Sequence, residues 1–181
     1  MLVRKVDKKR RTAAGGAALW LLCTMFGLFL CTRGAVALPT VIEPRPETRH
    51  LETELIDSVN GLRAERNLPA LRENASLTEV AREKAEQIRR DDEFAHILPS
   101  YGDPFSMMER AGLKFTAAGE DLAHAHYSAA TTVVDWMNSL GHRNNVLSPV
   151  FDEIGVGLAP DRHGGWIWVA LFMKSDGVVV A

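Results

Sequence analysis

Apolar residues recur at Leu51, Leu55, Val59 and Leu62, the spacing of one helix face, and predict a first helix over residues 51–66 that Asn67-Leu-Pro69 terminates. A second stripe, Leu77, Val80, Ala81, Ala85 and Ile88, predicts a helix over 77–90. Ser76-Leu-Thr-Glu79 reads as its capping box, in which serine and glutamate satisfy each other's orphan amides. Asp103-Pro104 starts a short third helix, with proline at its favoured first position, and Gly112 stops it. Residues 117–121 read as an irregular segment or short strand. Ser128 caps a fourth helix whose inward face includes Val133, Trp136 and Met137, and Gly141 breaks it into a Gly-His-Arg turn. Two strand-like runs close the pattern, 154–159 and 166–172, joined through a hairpin loop at 161–165. Helices followed by an antiparallel pair predict an α+β domain with helices packed on a small sheet.

The first 37 residues are a different material. Arg4, Lys5, Lys8, Lys9, Arg10 and Arg11 form a basic head, residues 12–32 carry no charge, and Ala35-Val36-Ala37 follows as an A-x-A site. Together they read as a secretory signal peptide over 1–37. The rival is an uncleaved anchor, since 12–32 is just long enough to span a bilayer with its basic head on the cytoplasmic side. The A-x-A site favours cleavage, and both readings export the domain. Residues 38–50, with Pro39, Pro44 and Pro46, read as a spacer. The domain is expected over 51–175, with a tail at 176–181.

Removing the leader changes two conclusions. Cys23 and Cys31, the two cysteines of the chain, both lie in it, so the exported part relies on its core without disulfides. The whole chain carries a net charge of −2, but residues 1–37 hold seven Lys/Arg and one acid, so residues 38–181 carry −8. An acidic domain is a poor nucleic-acid binder, because that affinity comes from neutralising phosphates.

The titratable groups divide by context. His50 in the spacer and His163 in the hairpin loop read as exposed. His124-Ala-His126 would share a face only in a strand, and the pattern places it in a loop. His96 follows the acidic turn Asp91-Asp-Glu93, and His142 follows Gly141. Neither belongs to an HExxH helix or a paired Cys/His spacing, so residues alone give no strong metal signal. Glu120 sits behind a tight Ala-Ala-Gly turn, where a carboxylate held near an imidazole sets its tautomer. Ser139 has no GxSxG elbow around it and reads as a helix-end residue. Asn144 and Asn145 read as turn residues, and Arg143 as an ion-pair or anion-binding residue.

Several motifs then occur in order: Asn60-Gly-Leu-Arg63 with Leu68-Pro-Ala-Leu71, Phe94-Ala-His96, Ala118-Gly-Glu-Asp-Leu-Ala123, Trp136-Met-Asn-Ser-Leu-Gly-His-Arg-Asn-Asn-Val-Leu147, and Phe151-Asp-Glu-Ile-Gly-Val-Gly157. In this set the chain resembles the CAP superfamily of cysteine-rich secretory proteins, antigen 5 and pathogenesis-related proteins, and within it the disulfide-free, bacterial SCP-like branch. The resemblance implies an α-β-α sandwich with a small central antiparallel sheet flanked by helices. It implies a cleft floored by two histidines and one or two glutamates, with His96 and His142 as the pair and Glu120 as the glutamate. Zinc or another divalent metal on the histidines, with Asp121, Ser139, Arg143 and Asn144 around the cleft, is the corresponding expectation. Two departures matter. Asp121 stands where the family motif usually has asparagine, and the second glutamate of eukaryotic members is missing from Met137-Asn-Ser139, which weakens paired acid–base chemistry.

The leading expectation is an exported, non-enzymatic binding module for a small or extended ligand (lipid, peptide or wall glycan), with membrane contact only through residues 12–32 if they stay uncleaved. A metal-assisted hydrolase of peptide or cell-wall material, with Glu120 as base, is the second reading. An adhesion or scaffold domain is the third.

Overall fold

The computed structural model describes residues 2–5 and 46–177. Residues 6–45, which hold most of the expected leader and of the spacer, lie outside the described residues, as does most of the tail. In chain order the elements are β1 (Leu2–Lys5), α1 (Pro46–Ala64), β2 (Arg72–Glu73), α2 (Ala75–Asp91), α3 (Pro104–Arg110), β3 (Phe115–His126), α4 (Ala129–Asn138), α5 (Leu140–Val146), β4 (Glu153–Pro160) and β5 (Trp166–Ser175). One five-stranded sheet runs β1-β3-β5-β4-β2. Its long pairings are antiparallel, and short β2 joins β4 in parallel.

Strand alternation sorts the core into two layers. Trp168, Ala170 and Phe172 of β5, with Ile154, Val156 and Leu158 of β4, pack under α1, α4 and α5. Ile167, Val169, Leu171 and Met173 face the other way, toward α2 and α3. The result is the expected α-β-α sandwich, with a mixed rather than purely antiparallel sheet.

The ordered motifs acquire physical reasons here. Asn60 of α1 bonds both backbone groups of Leu71, donating to its carbonyl at 3.1 Å and accepting from its N–H at 2.8 Å. Fully buried Arg63 donates to the carbonyls of Pro69, Val146 and Ser148, each at 2.9 Å, tying α1 to the end of α5. Gly155 and Gly157 of β4 let α2 lie directly on the sheet. A Cβ at Gly157 would fall 2.2 Å from the Arg82 amide nitrogen, and one at Gly155 2.4 Å from the carbonyl carbon of Leu77. Arg82 of α2 then forms a buried bidentate pair with Glu52 of α1 at 2.9 and 2.6 Å.

Four local expectations need correcting. Helix α1 begins at Pro46, five residues before its apolar periodicity starts, because proline is tolerated in a first turn. Helix α2 is capped by Asn74, whose side chain accepts from the Leu77 N–H, and not by Ser76. Glu79 pairs instead with Arg82. Residues 117–121 are the middle of a twelve-residue strand. The Gly-His-Arg stretch is helical: the break falls at extended Ser139 (φ −92°, ψ 121°), and Gly141 lies inside α5.

Candidate functional site

Strand β3 carries the site because its alternation aims two neighbouring carboxylates at opposite faces. Glu120 follows Ala118 and Leu122 toward the α2/α3 layer, whereas Asp121 follows Ala117 and Ala123 toward the α1/α4/α5 layer. Both are fully buried. A buried carboxylate requires donors or a proton, so the partners of each define the site.

On the first face, His96 Nδ1 lies 2.6 Å from Glu120 Oε1. His96 stands on the loop after α2, and that loop is held by Lys84, whose Nζ donates to the His96 carbonyl at 2.6 Å. Lys84 is fully buried, and burial lowers its pKa against the opposing pull of Glu120 and Asp103. The lysine was overlooked at the level of sequence, although it occupies the apolar stripe of α2 beside Ala81, Ala85 and Ile88. A charge on such a stripe was the available signal.

On the second face, Asn145 of α5 donates from Nδ2 to Asp121 Oδ1 at 2.7 Å and to the Glu120 carbonyl at 3.3 Å. Burial raises the Asp121 carboxyl well above the ordinary carboxylate range, and the Asn145 hydrogen bond opposes the shift. Asn145, read as a turn residue, is therefore a buried member of the site. Asn144, expected in the cleft, is exposed. Helix geometry decides this, since consecutive residues leave α5 in different directions and His142 and Asn145 share a face at i, i+3. His142 lies against Trp136 with ring centroids 6.3 Å apart. Burial lowers its pKa first, with the chain's amino-terminal charge and His96 adding to the shift. It is therefore a neutral imidazole at pH 7. Arg143 donates to the Met137 carbonyl at 2.9 Å. Ser139 is the half-buried hinge between α4 and α5 and makes no side-chain cap.

Three acceptors in this cluster lack a donor: Glu120 Oε2, Asp121 Oδ2 and Asn145 Oδ1. His96–Glu120 has the form of a carboxylate that orients an imidazole for a metal on the ring's other nitrogen. Among the described residues, no group of three or more His, Cys, Asp or Glu side chains is arranged to hold a metal ion. A metal held here would have at most the two imidazoles of His96 and His142 as nitrogen donors, too few for a closed four-coordinate structural site.

His124 and His126 lie in β3 rather than a loop, yet they do not share a face. Ala125 adopts φ +59° and the β3–β5 register shifts between Ala123 and His126. His124 turns to Asp161 (3.4 Å) and His126 to Asp135 (3.0 Å). The chelate that strict alternation would allow is broken by that one left-handed residue.

A family model for the cysteine-rich secretory protein family, CAP, matches residues 56–172. The chain belongs to the CAP family. Among known relatives, Bacillus subtilis YkwD, described as an uncharacterized protein, is 35 % identical over 122 residues, which are 67 % of this chain and 46 % of YkwD. YlbC, an uncharacterized membrane protein of the same bacterium, is 29 % identical over 107 residues, 59 % of this chain and 31 % of YlbC. The chain thus spans less than half the length of either. Among solved structures, an extracellular SCP-domain protein from Bacillus anthracis superposes with a TM-score of 0.67 at 25 % identity, over 73 % of this chain and 44 % of its own. An outer surface protein of Borrelia burgdorferi superposes with 0.66 at 25 % identity, over 71 % of this chain and 96 % of its own. This CAP domain has no helix among its described residues that is long and apolar enough to cross a membrane.

Proposed function

We propose that this CAP domain is exported by its N-terminal segment and acts as a binding module. Its cleft, formed by His96, Glu120 and His142, would take a divalent metal such as zinc together with a small or extended ligand. The observation that carries the reading is the 2.6 Å His96–Glu120 contact made by a fully buried carboxylate. A buried carboxylate is expensive unless it orders something, and here it fixes the tautomer and direction of a half-exposed imidazole. His142, neutral at pH 7, is in a protonation state fit for coordination. A metal on these two rings would supply an electrophilic centre for a ligand oxygen. Export is supported by the leader-like residues 1–37 and by the extracellular and outer-surface relatives.

Binding is favoured over hydrolysis because Glu120 is fully buried and one of its oxygens is already engaged. A general base must reach the water it activates, and Glu120 Oε1 is committed to His96 while the missing second glutamate leaves no substitute. Calorimetric zinc titration of residues 38–181 beside the His96→Ala/His142→Ala variant tests the reading. One-to-one binding that the double variant loses supports it. Equal or absent binding by both proteins refutes the metal and leaves a scaffold role, and turnover of peptide or wall material that Glu120→Gln abolishes would move the protein to the hydrolases.

A further inference from the structure

The outer edge of β3 is occupied by residues that export would take away. Leu2 lies opposite Glu120, Val3 opposite Gly119, Arg4 opposite Ala118 and Lys5 opposite Ala117, in an antiparallel ladder. A second anchor lies off the ladder, where the Arg4 guanidinium meets the Glu109 carboxylate of α3 at 2.9 Å. These four residues belong to the basic head of the leader. In an exported chain that head is held on the cytoplasmic side or cleaved away, so ladder and export exclude each other. The edge of β3 then stands open over residues 117–120.

An open edge is a row of unpaired N–H and C=O groups, and proteins that must keep one unpaired guard it with proline, lysine or a bulge. Here the stretch reads Ala-Ala-Gly-Glu, without proline or lysine, and its fully paired run from Ala117 to Ala123 lies between the two register shifts of β3. Its one charge, the inward-turned Glu120, is already held by His96, and the edge is seen accepting a strand. It also separates the two halves of the cleft, since Glu120 and His96 lie on one side of the sheet and Asp121 and Asn145 on the other.

We propose that in the exported domain the β3 edge accepts an extended segment of another polypeptide as an added antiparallel strand, with an arginine or lysine set against Glu109. Main-chain hydrogen bonds supply the affinity and the basic residue supplies register. This inference rests on the export reading.

The test uses the full chain in detergent and a labelled nonapeptide of its first nine residues, Met-Leu-Val-Arg-Lys-Val-Asp-Lys-Lys. A Val3→Pro/Arg4→Pro chain vacates the edge, because successive N–H groups point opposite ways and one of the two lost must face β3. Hydrogen exchange over 115–123 should then speed up while 166–175 stays protected. The peptide should bind this variant at least about tenfold more tightly than the wild type, whose tethered segment competes at high effective concentration. A peptide with the same two prolines should not bind. If the double-proline chain loses protection over 166–175 as well, a Glu109→Arg chain decides the matter, and it should prefer an Arg4→Glu peptide over the natural one. Unchanged exchange over 115–123, equal binding of both peptides, or no charge-swap preference overturns the proposal. Zinc binding lost with the edge intact would count against the metal reading alone.

Discussion

Asp121→Asn should stabilise this CAP domain, and by an amount that grows with pH. Asp121 is fully buried, receives one hydrogen bond from Asn145, and has a second oxygen without a donor. Burial raises its folded pKa well above the ordinary 3.8. A carboxyl in this state is protonated more readily folded than unfolded. Between the unfolded and folded pKa values the native state therefore binds the extra proton, and stability falls as pH rises through that window. One proton linked over one pH unit is worth about 1.4 kcal/mol. Asparagine has no proton to lose, so the variant lacks that slope. The two proteins should lie within ~1 kcal/mol of each other near pH 4. They should then diverge by about 1.4 kcal/mol per pH unit until the folded pKa is passed, and run parallel above it.

Urea unfolding of both proteins at half-unit steps from pH 4 to 8 measures this. For slopes of roughly 1–3 kcal/mol per molar urea, the midpoints should separate by about 0.5–1.4 M per pH unit. The difference between the two curves isolates Asp121, because every other titrating group is common to both. A separation that stays constant from pH 4 to 8 would refute the reasoning. It would show that Asp121 titrates alike in both states and that the buried cluster finds donors elsewhere.

Gly157→Ala should cost about 3 kcal/mol, since its Cβ meets the α2 backbone at 2.2 Å, whereas Gly61→Ala, with nothing within 4 Å, should gain about 0.5–1 kcal/mol in helix α1; thermal melts of the two decide. The His142 ring should titrate below 6.5 by proton NMR. Because that folded pKa is depressed, its contribution to stability is complete above pH 6.5 and is lost as pH falls through the folded value, and His142→Gln should remove that slope. Arg82→Met or Glu52→Gln alone should each destabilise by about 1–3 kcal/mol, because Glu79 still reaches Arg82 and Arg49 still reaches Glu52, and the double change by less than their sum, as a double-mutant cycle would show.

Helix faces were legible because burial imposes a period. The stripe Leu77, Val80, Ala81, Ala85 and Ile88 marks α2, and Asp103-Pro104 and Ser128 mark the starts of α3 and α4, where Ser128 caps as expected and Asp103 proves to cap as well. Strand β3 was less legible because it is buried on both faces and so shows no alternation. Its carboxylates, alanines and glycine imitate a loop. The helix α5 hid behind Gly141 and Ser139, two weak helix formers at its start, and its hidden period concealed Asn145 as a site residue.

The same two-sided burial explains why the site sits on β3. A strand at the middle of a layered fold can send adjacent side chains into two different compartments, which no helix face or surface loop can do. Glu120 and Asp121 use that property to anchor His96 from one helix layer and α5, with His142, from the other. Their backbone carries both tasks within two residues, so any change in the position of β3 moves both histidines together. What pairs with the outer edge of β3 is therefore part of the site's geometry. Under the proposed strand exchange, that partner, the chain's own Leu2–Lys5 before export or another polypeptide afterwards, would set how His96 and His142 are presented to a ligand.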